Sequence, residues 1–331
     1  MRAEILLTGA SGFVGGHLAD RLVAAGVRPR ILVRDPERLR PSLRDACELV
    51  HGDLGDSAAL AAAVTGVTHV YHCAANVATW DSDARYRAAN VDGVARLLAA
   101  LAHNNPELQR LVHLSTVDVY GYPRKPCDED CPLTGAGFGY GASKLAGELL
   151  LREVAAAHGI PYTVLRPGNV IGPRGQFVSR IGRELIDGLM LTVNGGRAHA
   201  GLIDVGNLVD AMLWAGQSPA AANRVFNVRD PHDASWADFI RDLRGLLGGR
   251  GRVIDLPFTL ADIAAVALET PYRLLRIARE PMLHRLVVRI FGRTCGHSVG
   301  RIQAAGCPLG AVSYEQSLER AAGWFSRESM A

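Results

Sequence analysis

The sequence predicts an α/β fold: a doubly wound parallel sheet carrying a smaller C-terminal lobe. Three observations predict it. Residues 3–8 read as a short buried strand that runs through a glycine turn directly into a helix. Short apolar strands and Ala/Leu-rich helical stretches then alternate, the βαβα order of a parallel sheet. Glycines, hydroxyl residues and Asp53 fall at the carboxyl ends of those strands, where such sheets bind ligands.

The bulk properties agree. A chain of 331 residues suits one large α/β domain or a domain plus a lobe. It is 48% hydrophobic and 21% charged, with a net charge of +3, which gives no reason to expect a nucleic-acid partner. No apolar run approaches the ~18 residues needed to span a bilayer. The N-terminus lacks a signal-peptide layout, and Cys47, Cys73, Cys127, Cys131, Cys295 and Cys307 are too scattered for a disulfide framework. A reduced, cytoplasmic protein is the expectation. Cys127 and Cys131 have no second Cys/His pair at matching spacing, so no metal is expected.

In chain order, Thr8-Gly9-Ala10-Ser11-Gly12-Phe13-Val14-Gly15 follows the first strand and opens a helix to about Ala25. Glycines at 9, 12 and 15 permit a tight turn, close approach of backbone to a pyrophosphate, and close helix–strand packing. The helix N-terminus adds free N–H groups for phosphate. The second strand, 30–33, ends at Arg34-Asp35. An acid at this place bonds the 2′-hydroxyl of NAD, whereas an arginine accommodates the 2′-phosphate of NADP. Arg34 comes first, so NADP(H) is favoured and NAD(H) is the alternative, with Asp35 able to cap a helix starting at Pro36.

A strand at 47–50 ends in Gly52-Asp53-Leu54, and a helix is expected at 57–64. The strand 68–73 ends in Ala74-Ala75-Asn76 and leads to one long helix, 84–102. The strand 110–114 ends in Ser115-Thr116, followed by a Pro/Gly-rich loop, 122–138. The strand 162–165 ends in Arg166-Pro167-Gly168-Asn169-Val170. Further on, 206–216 reads as a helix, 224–228 as a strand and 236–247 as a helix.

The chemistry points to Tyr140-Gly141-Ala142-Ser143-Lys144. On a helix, Tyr140 and Lys144 share a face one turn apart. An ammonium there favours the phenolate, so the Tyr pKa is expected to fall toward working pH. Such a phenol gives a proton to a carbonyl oxygen or takes one from an alcohol. Of 36 basic residues only Lys125 and Lys144 are lysine, which suggests that this position needs a compact ammonium. Thr116, at a strand end, can face the tyrosine.

Together the TGASGFVG run, Asp53-Leu54, Ala74-Ala75, STVDVYG, YGASK, RPGNVIGP and GLIDVGNLVDA resemble the extended short-chain dehydrogenase/reductases, with their Rossmann-type sheet, over nearly the whole chain. The resemblance implies that Tyr140 is the acid/base and that Lys144 holds the nicotinamide ribose. Thr116 would bond the reacting oxygen. Gly9, Ser11, Gly12, Phe13, Val14, Gly15, Arg34, Asp53, Leu54, Ala74, Ala75, Asn90, Ser115, Pro167, Gly168 and Val170 would line the cofactor, and Ser115, Thr116 and Asn169 the substrate. It also implies an NADP-binding domain at 1–173. A mainly substrate-binding lobe would occupy 174–331, with about 201–230 returning to the first domain. Dehydratases of this family carry acids where this chain has Val117-Asp118, and its epimerases usually show an aromatic residue where it has Pro167. The RPxxVxGP motif and the tail from Ser298 to Phe325 are similar to the 3β-hydroxysteroid dehydrogenase and dihydroflavonol reductase branches.

The expected function is therefore reduction or oxidation of a ketone/secondary-alcohol pair on a bulky small molecule. A nucleotide-sugar epimerase with tightly bound cofactor is one rival, and a non-catalytic NADP-sensing or scaffold protein is another. A homodimer through helices 84–102 and 140–157 is expected from the resemblance. Residues 270–314 contain seven Arg and one acid (7 − 1 = +6). After Pro281, Met282/Leu283, Leu286/Val287 and Ile290/Phe291 recur at helical period, with Arg285, Arg289 and Arg293 on another face. A contact with a membrane surface or an acidic carrier through about 271–293 is an expectation, set beside a plain packed lobe helix.

Overall fold

The computed structural model describes residues 4–137 and 139–330. The first half runs β1 (Ile5–Thr8), α1 (Phe13–Ala24), β2 (Arg30–Val33), α2 (Pro41–Ala46), β3 (Glu48–His51), α3 (Ser57–Val64), β4 (His69–His72), α4 (Asp83–Arg87), α5 (Gly93–Asn104), β5 (Arg110–Leu114), α6 (Gly139–His158) and β6 (Tyr162–Pro167). The second half runs β7 (Asn169–Ile171), α7 (Gln176–Ile186), β8 (Leu189–Val193), β9 (Leu202–Asp204), α8 (Val205–Gln217), β10 (Arg224–Val228), α9 (Trp236–Leu247), β11 (Arg252–Leu256), α10 (Phe258–Leu274), α11 (Arg285–Gly292), α12 (Gly300–Ala304) and α13 (Tyr314–Met330). Residue 3 of the first predicted strand and Phe138 at the end of the predicted loop lie outside the described residues.

Seven parallel strands form the main sheet in the order β10-β6-β5-β4-β1-β2-β3. The strand order reverses between β1 and β4, where Leu7 pairs with Ile31 on one side and Tyr71 on the other. That reversal leaves a crevice at the strands' carboxyl ends. Both faces are covered, so the strands read as continuous apolar runs. Leu18 and Leu22 of α1 and Leu208 and Met212 of α8 pack on one face. Leu60, Leu97, Leu98, Leu101 and Leu151, from α3, α5 and α6, pack on the other. A separate core fills the lobe, where Trp236 and Phe239 of α9 meet Val178, Ile181, Val288 and Phe291. The Trp236 indole is kept satisfied in that core by donating to the Ile290 carbonyl at 2.9 Å.

Two predicted elements differ. The long helix 84–102 is broken: a π-turn at Ala88–Asp92 separates α4 from α5. The wider turn swings Asn90, 2% exposed, inward to bond outside the helix. The sequence reading also has no element at 252–274, where the structure forms β11, paired in parallel with β8, and α10 with Pro271 in its last turns. Pro271 leaves the Ala267 carbonyl without its helical donor, and Ala267 is exposed, so water can take that bond.

Candidate active site

The glycine turn closes the site at one end. Gly9 has φ +77°, and a Cβ on it would lie 2.6 Å from the Ala74 nitrogen. Only glycine lets β1 and β4 come this near. Gly12 caps α1 without a side chain, so the first-turn N–H groups of α1 stay open toward Ser11 and Gly12, which are exposed. This cradle fits a pyrophosphate. Beside it, Arg34 is exposed with no hydrogen bond or ion pair among the described residues. Asp35 turns away and caps the short helical turn at Pro36, accepting from the Glu37 N–H at 3.0 Å. Asp53 is exposed, and Leu54 packs against the backbone of Gly93.

The other end is built by β5 and α6. Thr116 lies two residues past β5 and caps the short turn that follows, its hydroxyl accepting from the Asp118 N–H at 3.2 Å. The Thr116 side chain also lies near enough to the Tyr140 phenol to favour the phenolate. Burial pushes Tyr140 the other way and outweighs it, and the Asp118 carboxylate and the Tyr86 phenol add to the rise. The expected fall of the Tyr140 pKa is therefore corrected: the phenol is held protonated. The geometry explains it. Lys144, 4% exposed, donates from Nζ to the Leu114 carbonyl at 2.5 Å instead of facing the phenol. Burial lowers Lys144 to about 8, against the pull of Glu148.

Asn90 acts as a bracket. Its Oδ1 accepts from the Asn76 N–H at 2.8 Å, and its Nδ2 donates to the Asn76 carbonyl at 3.0 Å and to Ser143 Oγ at 2.9 Å. Ser143 Oγ in turn donates to the Tyr140 carbonyl at 2.7 Å. The π-turn thus ties the loop after β4, with Ala74 and Ala75, to the helix carrying Tyr140. Gly147 makes the approach feasible, since a Cβ there would sit 2.0 Å from the Asn90 carbonyl oxygen.

Ser115 does not point into the cleft. Its hydroxyl donates to Glu148 Oε2 at 2.6 Å, inside the protein. Glu148, fully buried, also takes the Arg166 guanidinium, with Nε at 3.0 Å. Arg166 donates onward to the Tyr120 hydroxyl at 2.8 Å, and Tyr120 to Asn227 Oδ1 at 2.7 Å. This buried network escapes the sequence reading, although Glu148 lies one turn beyond Lys144 on the same helix face. Asn169 likewise spends its amide on the Ala200 carbonyl at 2.6 Å, pinning β7 beside β9. Pro167 is buried in β6, Gly168 donates to Val228, and Val170 is half-buried in β7. His72 and His113 stack 5.3 Å apart and are kept neutral by burial and by the Lys144 charge.

Two openings are present among the described residues. A narrow crevice at Tyr140 is lined by Thr79, Tyr86, Glu269, Arg273 and His284. A wider cleft of about 560 Å³ is lined by Arg124, Arg197, Arg293, Asn194 and His199, with no acidic side chain. Arg124 and Arg293 each lie two residues from Tyr122 or Cys295, whose side chains interact with Asp118. The predicted basic face of 285–293 is largely spent on the lobe itself. Arg285 pairs with Glu269 at 2.7 Å, Arg289 with Asp262 at 3.8 Å, and Arg293 stacks on Phe258. No group of residues able to hold a metal ion occurs among the described residues.

Fold and site define a dinucleotide-dependent enzyme of the doubly wound class. The NAD dependent epimerase/dehydratase family model matches residues 5–228, and the chain belongs to that family, within the extended short-chain dehydrogenase/reductases. It is 30% identical over 95% of its length to a 4-hydroxy-2-methyl-3-oxo-4-farnesyl-3,4-dihydroquinoline-1-oxide ketoreductase from Stigmatella aurantiaca, covering 94% of that protein. It is 29% identical to a UDP-glucose 4-epimerase from Vibrio cholerae, over 73% of this chain and 75% of the other. The fold matches that of MoeE5 in complex with UDP-glucose and NAD, with a TM-score of 0.76 at 22% identity, over 99% of this chain and 100% of that one.

Proposed function

We propose that the protein is an NADP(H)-dependent ketoreductase, with a bulky, largely apolar substrate supported by its 30% identity to the farnesyl-quinoline-oxide ketoreductase. The state of Tyr140 carries this reading. Its phenol lies near Thr116 and is kept protonated by burial and by Asp118, which leaves it able to donate a proton to a carbonyl oxygen. A bound nicotinamide dinucleotide supplies the hydride. Thr116 and Tyr140 together hold the carbonyl oxygen, and Tyr140 gives it the proton as negative charge develops. Lys144, released from Leu114, would reach the nicotinamide ribose and help Tyr140 recover a proton. Glu148, held by Arg166, fixes the Ser115 hydroxyl and favours the charged form of Lys144. Val117, 5% exposed and apolar, offers no acid for elimination, which argues against dehydration. Arg34, free beside an Asp35 already committed to its cap, supports NADP(H) over NAD(H).

The arginine-lined cleft supports a second reading. Arg124, Arg197 and Arg293 without an acid suit an anionic substrate, as a nucleotide-sugar epimerase would require. Absorbance of NADPH during incubation with ketones and with nucleotide sugars separates the two. Consumption of NADPH on apolar ketones supports the reductase. Isomerised sugar with no net NADPH change, and cofactor that copurifies, overturns it.

A further inference from the structure

Helix α10 presents its apolar side outward. Ala261, Ala265 and Glu269, spaced four apart, are its buried strip. The opposite strip, Leu260, Ile263, Val266 and Leu274, faces solvent, with Ile263 63% and Leu274 78% exposed. The chain beyond the helix continues the pattern: Leu275 is 72% and Met282 74% exposed, and Ile277 is also exposed. Water-facing helices place charge on such a face, and a run of large exposed apolar side chains marks a contact surface.

Charge and aromatic residues surround this strip. Asp262 and Arg273 lie on the helix flanks and are engaged with Arg289 and Glu269. Arg276 and Arg279 are exposed and carry no ion pair among the described residues. At the border Trp80 meets Tyr272 edge to face at 6.4 Å, and its indole N–H donates to the Ile277 carbonyl at 3.2 Å. Val77, in the same loop as Trp80, is 63% exposed.

We propose that the outer face of α10 and the turn 274–282 seat on an anionic lipid bilayer. Leucines and isoleucines would enter the headgroup boundary, Arg276 and Arg279 would meet lipid phosphates, and Trp80 and Tyr272 would lie at the interface. With the acids that pair with its arginines counted, the stretch 258–293 holds six Arg and three acids (6 − 3 = +3), and Arg276 and Arg279 are the exposed arginines of the turn. A second copy docking on this face by a twofold would set Arg276 and Arg279 against themselves, which disfavours a dimer contact. No helix among the described residues is long and apolar enough to cross a membrane, so the contact lies in the interface plane. The position has a consequence. Thr79, Glu269, Arg273, His284 and Leu286, from the elements beneath this surface, wall the crevice at Tyr140. Docking would bring that crevice beside the bilayer, a short route for an apolar substrate dissolved there. The surface itself stands on the patch alone and does not depend on which reaction Tyr140 serves.

Cosedimentation of the full chain with sucrose-loaded vesicles tests it without substrate. Phosphatidylcholine vesicles are compared with vesicles that also contain phosphatidylglycerol. Binding is expected to be roughly tenfold or more stronger with the anionic lipid. Ile263→Glu with Leu274→Glu should abolish binding to both, with unchanged melting temperature and elution volume. Arg276→Gln with Arg279→Gln, which leaves the apolar strip intact, should weaken binding to the anionic vesicles roughly tenfold or more. Absence of wild-type binding to either vesicle overturns the proposal, as does wild-type binding by both double variants. Conversion of a dimer to a monomer by the apolar-strip variant overturns it in favour of a second copy.

Discussion

Replacing Glu148 by Gln probes the buried support of the site. Glu148 is fully buried and takes the guanidinium of Arg166, 1% exposed, together with the Ser115 hydroxyl. The substitution keeps the shape but leaves the Arg166 charge without its counter-ion. Removing one partner of a buried pair costs about 3–5 kcal/mol. For a chain of this size that is a fall of roughly 4–7 °C in the melting temperature. A second effect follows from charge. Glu148 is the largest influence holding the Lys144 pKa up against burial, so its neutralisation moves Lys144 below about 8. The ammonium is then lost at lower pH, and the alkaline fall in kcat/KM begins earlier than in the wild type. Thermal unfolding followed by circular dichroism reads the first effect, and a pH profile of kcat/KM reads the second. A melting temperature within about 2 °C of wild type, with an unshifted alkaline limb, refutes the assigned support.

Further predictions concern the cofactor, the helix contact and the pH response. Arg34→Ala should raise the Kd for NADPH roughly 10- to 100-fold, the loss of one charged hydrogen bond, and leave NADH binding unchanged by fluorescence titration. Gly147→Ala should destabilise the protein by about 1–3 kcal/mol in denaturant titration, because α6 must retreat from Asn90. Burial lowers the folded Lys144 pKa to about 8, below the ordinary lysine value of 10.5. The unfolded chain therefore binds that proton more tightly, so this group's contribution to stability should rise between pH 8 and 10.5, a rise that Lys144→Met should remove. Asp118→Asn should lower the Tyr140 pKa, since Asp118 is the largest charge raising it, and shift the Tyr-dependent limb of kcat/KM to lower pH.

The sheet was legible because its signals are local. The strands 30–33, 110–114 and 224–228 and the helices 57–64 and 236–247 stand where the apolar patterns place them. Gly9 announces its turn because no other residue type tolerates it. The lobe was less legible. α10 buries small alanines and exposes leucines, so its hydrophobic periodicity marks the wrong face. The basic face of 285–293 is neutralised by Glu269 and Asp262, acids 16 and 27 residues upstream of Arg285 and Arg289, and no local pattern reveals such pairing. Site residues divide in the same way. Thr116, Tyr140 and Asn90 are drawn together by β5, α6 and the π-turn. The Ser115–Glu148–Arg166 network depends on how α6 packs on β6, which residue types alone do not disclose. The direction of the Tyr140 shift was misread for a related reason, since burial and the Lys144–Leu114 bond are tertiary facts.

The central claim is that Tyr140 delivers the proton to a substrate oxygen. Single-turnover oxidation of NADPH by Tyr140→Phe, on a ketone turned over by the wild type, tests it most directly. A loss of about 10²- to 10⁴-fold in rate is expected, with NADPH binding within twofold of wild type. A variant that reduces the ketone at the wild-type rate would contradict it.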